Sequence, residues 1–136
     1  MIEIRRSAIN LSKVDIDVEY INSILSRVGA DNVDLDNYGE NGQLMVTRGV
    51  GWHKDPSFGP LTAFVVVGCY EMEVSSWGCG TVWPDRGDVV LLDVRKNHRA
   101  KPTGIGAFLV AIAVDLPLGT SMDEAIQRLK KEISGE

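Results

Sequence analysis

The middle of the sequence, residues 43–116, alternates short apolar runs with residues typical of tight turns. β-branched and aromatic residues fill the runs, and glycine or proline separates most of them. The predicted strands are 44–47, 61–70, 71–75, 81–83, 89–94 and 107–115. No helical pattern lies between them, which disfavours a parallel βαβ fold. The pattern therefore predicts a mainly β protein whose antiparallel sheets form a sandwich or barrel.

Two segments of this region are apolar at odd and even positions alike. They are 63–67 and 108–114, and a strand of this kind is normally covered on both faces. The covers that the sequence offers are helical segments near its two ends.

The segment before the strands has the spacing of an amphipathic helix. Its apolar residues recur every three or four positions, and Gly29 follows the last of them: Val14, Val18, Ile21, Leu25 and Val28. The spacing predicts a helix that packs on the β region. Residues 31–42, rich in Asp, Asn and Gly, are expected to form a surface loop.

The last segment predicts a second helix. Ser121 and Glu124 have the spacing of a capping box, and one apolar face follows: Met122, Ala125, Ile126, Leu129 and Ile133. The expected organisation is a single domain, 1–136, with a helix-and-loop cover at 1–42, the β core at 43–117 and the C-terminal helix at 118–136.

Composition limits the classes of partner. The chain has 136 residues and a net charge of −5, without the basic stripe that phosphate backbones need, so non-specific nucleic-acid binding is not expected. Its apolar runs fall short of the roughly 20 residues of a membrane helix, and no leader pattern opens it. Cys69 and Cys79 match neither a disulfide framework nor a zinc motif, and we expect reduced core cysteines in a cytoplasmic protein.

The two histidines of the chain focus the search for a site. On an extended strand His53 and Asp55 point to the same side, and His98 ends the run 87–98, a strand that could lie opposite the first. Two imidazoles and one carboxylate on one face of an octahedral metal are the ligand set of non-haem Fe(II) oxygenases. The alternative is that the histidines are unrelated sheet residues and that Asp55 forms a turn before Pro56.

Three segments together resemble a known family. The His53-Lys54-Asp55 dyad, the segment 84–93 (PDRGDVVLLD) and the segment 97–102 (NHRAKP) are similar to the Fe(II)/2-oxoglutarate-dependent dioxygenase superfamily. The segment around His98 is also similar to the second motif of cupins, a neighbouring family, whereas a cupin's first motif would have His where Asp55 stands. The resemblance, over about 43–116, implies a double-stranded β-helix, or jelly roll, of two antiparallel sheets with the helices packed outside.

The resemblance also implies a chemistry. His53, Asp55 and His98 would hold Fe(II), and 2-oxoglutarate would be oxidised with O2 while a small-molecule or peptide substrate is hydroxylated. Four aromatic residues are candidates to line the pocket: Trp52, Phe58, Trp77 and Trp83. The tryptophans are equally suited to filling the core.

One family feature is missing. Members usually carry an Arg or Lys on the strand after the second histidine, which pairs with the far carboxylate of 2-oxoglutarate, and here Phe108 stands near that place. Four other cations are candidates for the role, or are ordinary surface cations: Arg48, Arg95, Arg99 and Lys101. Strand alternation places Arg99 and Lys101 on the face away from His98.

Two other functions stay open. One is a cupin-like or jelly-roll protein that binds a metal without oxygenase activity and serves as a binding module, which the missing cation favours. The other is a purely structural or interaction module. The sequence does not reveal the substrate or the oligomeric state.

Overall fold

The computed structural model describes residues 1–55 and 59–134, which form nine strands and two helices. The strands are β1 (Ile2–Arg5), β2 (Asn32–Tyr38), β3 (Gly42–His53), β4 (Leu61–Tyr70), β5 (Met72–Ser76), β6 (Gly80–Val82), β7 (Val89–Asp93), β8 (His98–Pro102) and β9 (Phe108–Leu116). The helices are α1 (Val18–Leu25) and α2 (Met122–Ser134). The prediction of a mainly β fold is confirmed.

The strands form an antiparallel jelly roll of two sheets that share one strand. The pairing order is β1-β7-β4-β9-β3-β8-β5-β6. Outside this order, β2 pairs with residues 42–49 of β3. Sheet A contains β1, β7, β4, β9, β2 and the first half of β3, and sheet B contains the second half of β3 with β8, β5 and β6.

The bend of β3 carries the chain from sheet A to sheet B. Up to Thr47 the strand pairs with β9, and from Val50 onward it pairs with β8. Gly49 lies between them with φ of +139°, and a Cβ atom there would lie 2.8 Å from Cδ of Pro102. Only glycine fits this crossing without displacing the proline ring.

Two apolar cores lie on opposite faces of sheet A. One lies between sheet A and the helices, and includes Ala63 and Val65; the other lies between the two sheets, and includes Phe64 and Val66. The predicted two-sided burial of β4 and β9 and the outside position of both helices are therefore confirmed.

Helix α1 is shorter than the predicted segment, and of the predicted face Ile21, Leu25 and Val28 are buried, whereas Val18 is not. Asp17 caps it, its carboxylate accepting hydrogen bonds from the backbone N–H groups of Glu19 and Tyr20. Val18, assigned to the buried face, is 68% exposed, whereas Ile24 is 1% exposed. Because the Asp17 cap starts the helix after Val14, the helical spacing does not run through both Val14 and Val18.

Helix α2 agrees with its prediction. The Ser121 hydroxyl accepts a hydrogen bond from the Glu124 backbone N–H and donates one to the Glu124 carboxylate. Met122, Ala125, Ile126 and Leu129 are buried against sheet A, and Ile133 is partly buried.

Three strands were not predicted. Residues 32–38 were assigned to a surface loop but form β2, in which Val33 and Leu35 alternate with Asp34 and Asp36. The strand β1 falls within the predicted N-terminal cover, and it pairs with β7. His98 does not end the strand of residues 87–98: β7 stops at Asp93, and His98 begins the separate strand β8.

The cysteines are not both core residues. Cys69 is partly buried, and burial raises the pKa of its thiol to about 11. Cys79 is exposed, so its assignment to the core is wrong. Among the described residues, neither helix is long and apolar enough to cross a membrane.

Candidate metal centre

Strand pairing brings the two histidines together. His53 is the last residue of β3, His98 is the first of β8, and the two lie directly opposite each other in the register. Their ring centroids are 4.2 Å apart. Asp55 follows β3, and its backbone N–H donates a hydrogen bond of 2.9 Å to the carbonyl of Val94. That bond ties the end of β3 to the end of β7, which places the Asp55 carboxylate beside both rings.

One carboxylate oxygen contacts both rings. Oδ2 of Asp55 lies 2.8 Å from Nε2 of His98 and 3.3 Å from Nε2 of His53. The candidate ligand atoms of the three residues all lie within 4.8 Å of one another. The structure thus gathers the three residues that the sequence singled out as a ligand set.

Main-chain carbonyls fix the orientation of both rings. Nδ1 of His53 lies 2.7 Å from the carbonyl oxygen of Gly51, and Nδ1 of His98 lies 2.8 Å from that of Lys96. A carbonyl oxygen can only accept, so each Nδ1 carries the proton and each Nε2 is available as a ligand. Both Nε2 atoms then face Oδ2 of Asp55, and a proton or a metal cation between nitrogen and oxygen would satisfy each contact.

Two of the three distances between candidate ligand atoms fit a metal ion bound on one face. Ligand atoms about 2.1 Å from an ion and at right angles to each other lie about 3.0 Å apart. The distances from Oδ2 of Asp55, 2.8 and 3.3 Å, are close to this value. Imidazole nitrogen and carboxylate oxygen suit Fe(II) and other first-row metals.

The three residues lie where a cavity meets the surface. The side chain of His98 is 9% exposed, and those of His53 and Asp55 are 30% and 29% exposed. The ligand set is thus open on the side of His53 and Asp55 and closed on the side of His98.

The cavity lies between the two sheets and has a volume of about 160 Å³. Most of its wall is apolar, formed by Val33, Leu35, Met45, Val50, Phe64, Val74, Leu92, Val94, Ala100, Leu109 and Ala113. The polar residues of the wall, besides the three candidate ligands, are Gln43, Thr47, Thr62, Arg99 and Asp115.

Asp115 is a second carboxylate at the cavity. Burial, together with the negative charge of Asp55, raises its pKa, while a hydrogen bond from Thr62 opposes the shift. Sequence reasoning missed Gln43, Thr62 and Asp115. The available signal was a polar residue at a position that strand alternation assigns to the space between the sheets.

The predicted cofactor-binding cations are mostly engaged elsewhere. Arg48 donates to the carbonyls of Leu25 and Ala107, and Arg95 pairs with both carboxylate oxygens of Asp93. Lys101 is exposed on β8. None of these three is among the described residues that line the cavity.

Arg99 alone of the four candidates borders the cavity. Its guanidinium carbon lies 4.4 Å from the ring centroid of Trp52, and its Nε is buried without a hydrogen-bond partner among the described residues. Arg99 thus borders the cavity, but its guanidinium group stacks over the ring of Trp52, which does not line the cavity.

The predicted aromatic pocket is not formed by the described tryptophans. Trp52, Trp77 and Trp83 are 39%, 63% and 59% exposed, so they do not fill the core, and none of them lines the cavity. Strand alternation turns Trp52 away from His53, and its ring packs edge-on against Trp77 with centroids 5.2 Å apart. Phe58 lies outside the described residues.

Comparisons with known proteins give structural neighbours only. No family model and no curated protein matches the chain. Among solved structures, the chain is similar to a cupin-2 domain protein from Shewanella frigidimarina, with 11% identity, 79% of this chain and 100% of that chain covered and a TM-score of 0.49. A protein from Neisseria meningitidis is 15% identical, with 75% of this chain and 98% of that chain covered and a TM-score of 0.47. A cupin-like protein from Thermotoga maritima is 18% identical, with 76% of this chain and 85% of that chain covered and a TM-score of 0.45. Identities and scores of this size say nothing about activity.

Proposed function

We propose that this protein is a mononuclear non-haem Fe(II) oxygenase that acts on a small organic molecule. The observation that carries the proposal is the convergence of His53 Nε2, His98 Nε2 and Asp55 Oδ2 at the edge of an apolar cavity. Two imidazoles and a carboxylate on one face of a metal are characteristic of this class of enzyme.

The protein's own contribution is to orient the ligands. The carbonyls of Gly51 and Lys96 hold the two Nδ1–H groups, which keeps both Nε2 atoms directed at one point. Fe(II) held at that point would bind and activate O2 beside the organic substrate.

The cavity supplies a dry environment on the inner side of the site. Val50, Val74 and Ala100 lie on the sheet that carries the histidines, and Phe64 and Leu92 face them from sheet A. These side chains exclude water from the reacting atoms, which protects a reactive oxidant from side reactions.

The described wall favours an organic substrate, rather than 2-oxoglutarate, as the ligand in the cavity. A buried dianion without a paired cation is costly by several kcal/mol, and the one cation at the wall, Arg99, lies over Trp52. The volume of about 160 Å³ is also below the range of roughly 300–1,000 Å³ typical of drug-sized ligands, so it accommodates one small molecule rather than two. We therefore propose that the reaction does not need 2-oxoglutarate.

The same shortage of free cations supports a second candidate. A jelly-roll protein that holds a metal and a small ligand without oxidising it uses the same three side chains. In such a protein the bound ligand would fill the metal positions that the three side chains leave open, so that O2 could not bind.

An anaerobic titration separates these functions. We expect wild-type protein to bind one Fe(II) and to show no visible charge-transfer band when 2-oxoglutarate is added. Nitric oxide, a stand-in for O2, is expected to give the electron paramagnetic resonance signal of an iron–nitrosyl centre, because Fe(II) keeps open positions. Lys54→Ala, between two of the candidate ligands, is the control and is expected to retain Fe(II) binding and the nitrosyl signal. Asp55→Ala is expected to lose both the binding and the signal.

Each other result selects an alternative. A charge-transfer band would restore 2-oxoglutarate as the co-substrate, and its loss in Arg99→Gln but not in Lys101→Gln would identify the cation. Bound iron without a nitrosyl signal would favour the binding protein. Absence of iron binding would overturn the site.

A further inference from the structure

Three polar side chains face the metal centre from the opposite sheet. Gln43, Asp115 and Thr62 lie on β3, β9 and β4, which are neighbours in sheet A. Thr62 pairs directly with Asp115, and Gln43 pairs with Ala113, two residues before Asp115. All three line the cavity, Gln43 and Thr62 being partly buried and Asp115 exposed. We call them the Gln43–Thr62–Asp115 group.

This group is built to accept hydrogen bonds. The Thr62 hydroxyl lies 3.3 Å from Oδ1 of Asp115, which leaves Oδ2 and the lone pairs of Oδ1 for a ligand. Gln43 lines the cavity, and its amide forms no hydrogen bond within the described residues, so the amide is available to a ligand. A positively charged donor is the partner that an ionised carboxylate prefers.

The charges around the cavity reinforce this preference. Asp55 and Asp115 both line it, and the negative charge of Asp55 adds to the effect of burial in raising the pKa of Asp115. A metal ion on Asp55 offsets one of these charges and leaves Asp115 as the anion of the opposite wall. A ligand with an anionic group at that wall would meet repulsion, whereas an ammonium group would be attracted.

The space between the two polar ends limits the body of the ligand. Phe64, Leu92, Val94 and Leu109 line the same cavity, so the body of a ligand there is apolar. A cavity of about 150 Å³ lined by such side chains holds one benzene ring, and the volume here is about 160 Å³.

We infer that the cavity takes a small primary amine whose apolar body, about the size of one ring, spans the sheets, with its ammonium group bound by the Gln43–Thr62–Asp115 group. The inference rests on the proposed function only for the metal-facing end of the substrate. The amine subsite belongs to sheet A and stands on its own residues.

Benzylamine, benzyl alcohol and benzoate test this subsite, because they share a ring and differ in charge. Binding is measured by calorimetry at pH 7 in iron-loaded protein under anaerobic conditions and again in the metal-free protein. In both forms benzylamine is expected to bind about five-fold tighter than benzyl alcohol, as suits a partly exposed ion pair. In the metal-free protein benzoate is expected to bind most weakly of the three.

Two variants locate the effect. Asp115→Asn keeps the shape of the side chain and is expected to bring the ratio of benzylamine to benzyl alcohol affinity close to one. Glu3→Gln, which removes an exposed carboxylate on β1, is the matched control and retains the five-fold ratio. An unchanged ratio in Asp115→Asn, or no binding of any probe by wild-type protein, would overturn the amine subsite.

The outcomes also separate this inference from the proposed function. Loss of iron binding with an intact preference for benzylamine would leave the subsite in place and remove the oxygenase. Normal iron binding without any preference for benzylamine would remove the amine subsite and leave the proposed oxygenase in place.

Discussion

Nε2 of His98 lies 2.8 Å from Oδ2 of Asp55, although 43 residues separate them along the chain. The contact depends on the pairing of β3 with β8 and on the hydrogen bond from Asp55 to Val94. Side chains that the main chain brings together in this way can be removed one at a time without dismantling the sheets.

The first prediction concerns the ligands themselves. His53→Ala and Asp55→Ala are expected to weaken Fe(II) binding by about 100-fold or more, since each removes one of three ligands. Both side chains are partly exposed, so the thermal midpoint should change little. Calorimetric titration measures the iron affinity, and circular dichroism melting measures the thermal midpoint. Lys54→Ala is the control for both measurements. Wild-type iron affinity in both variants would contradict the site.

The second prediction concerns the bend of β3. Gly49→Ala is expected to lower the free energy of unfolding by about 2 kcal/mol or more, because the new Cβ atom meets Pro102 at a positive φ. Gly80→Ala also has a positive φ, of +119°, but has open space around it, so it should cost only about 1 kcal/mol. Urea unfolding measures both. Equal losses would show that the contact with Pro102 is unimportant.

The third prediction concerns the covering helix α1. Ile24→Ala is expected to lower the free energy of unfolding by about 2–4 kcal/mol, because Ile24 is 1% exposed in the core between sheet A and the helices. Val18→Ala should change stability by less than about 0.5 kcal/mol, because Val18 is 68% exposed. Denaturant unfolding of the two variants measures both losses of stability. If the helix buried the face expected from spacing alone, Val18→Ala would cost more stability than Ile24→Ala.

The helix shows where the sequence pattern was ambiguous. Val14, Val18, Ile21 and Leu25 have valid helical spacing, but the pattern does not reveal that Asp17 caps the helix. By contrast, Ser121 and Glu124 mark the start of α2, and its buried face follows the pattern.

The strands and the site show the same division. The strands β4, β7 and β9 could be recognised because they consist mainly of consecutive buried apolar residues. β2 could not, because its alternation is carried by aspartates against only two apolar residues. The three candidate ligands could be named from residue type and spacing. Strand alternation could mark Gln43, Thr62 and Asp115 only as polar residues at inward positions, and their proximity to each other required the register of three strands.

The fourth prediction concerns Arg95, which the sequence placed among the cofactor-binding candidates. Its hydrogen bonds lower the pKa of Asp93 to about 2 from an ordinary value of 3.8. A lowered folded-state pKa stabilises the protein above pH 3.8, and that stability is lost as the pH falls toward 2. Arg95→Gln should therefore cost about 0.5–1 kcal/mol at pH 7, and the difference from wild type should shrink between pH 4 and pH 2.

Urea unfolding across this pH range measures the effect, with Lys96→Gln as a neighbouring cation that should show no such dependence. Iron binding by Arg95→Gln should match that of wild type. A difference that grows on acidification would contradict the role of the Asp93 pair.

The fifth prediction concerns the two thiols. Cys79 is exposed, and a hydrogen bond from the Met1 amino group lowers its pKa, whereas burial raises that of Cys69 to about 11. A thiol reagent at pH 7.5 should react with one cysteine quickly and with the other slowly, because the thiolate is the reactive form. Cys79→Ser should abolish the fast phase. Equal rates for the two thiols would contradict this assignment.

The Nδ1 atom of each imidazole is held by the carbonyl two residues earlier on its own segment of chain, while Nε2 faces the Asp55 carboxylate. The orientation of the two candidate ligand rings is therefore set largely by the backbone, while the wall that faces them is formed by side chains of other strands. Evolution or design can re-line the opposite wall to accept a different molecule and leave the coordination sphere untouched, so selectivity and reactivity are separable traits in this scaffold.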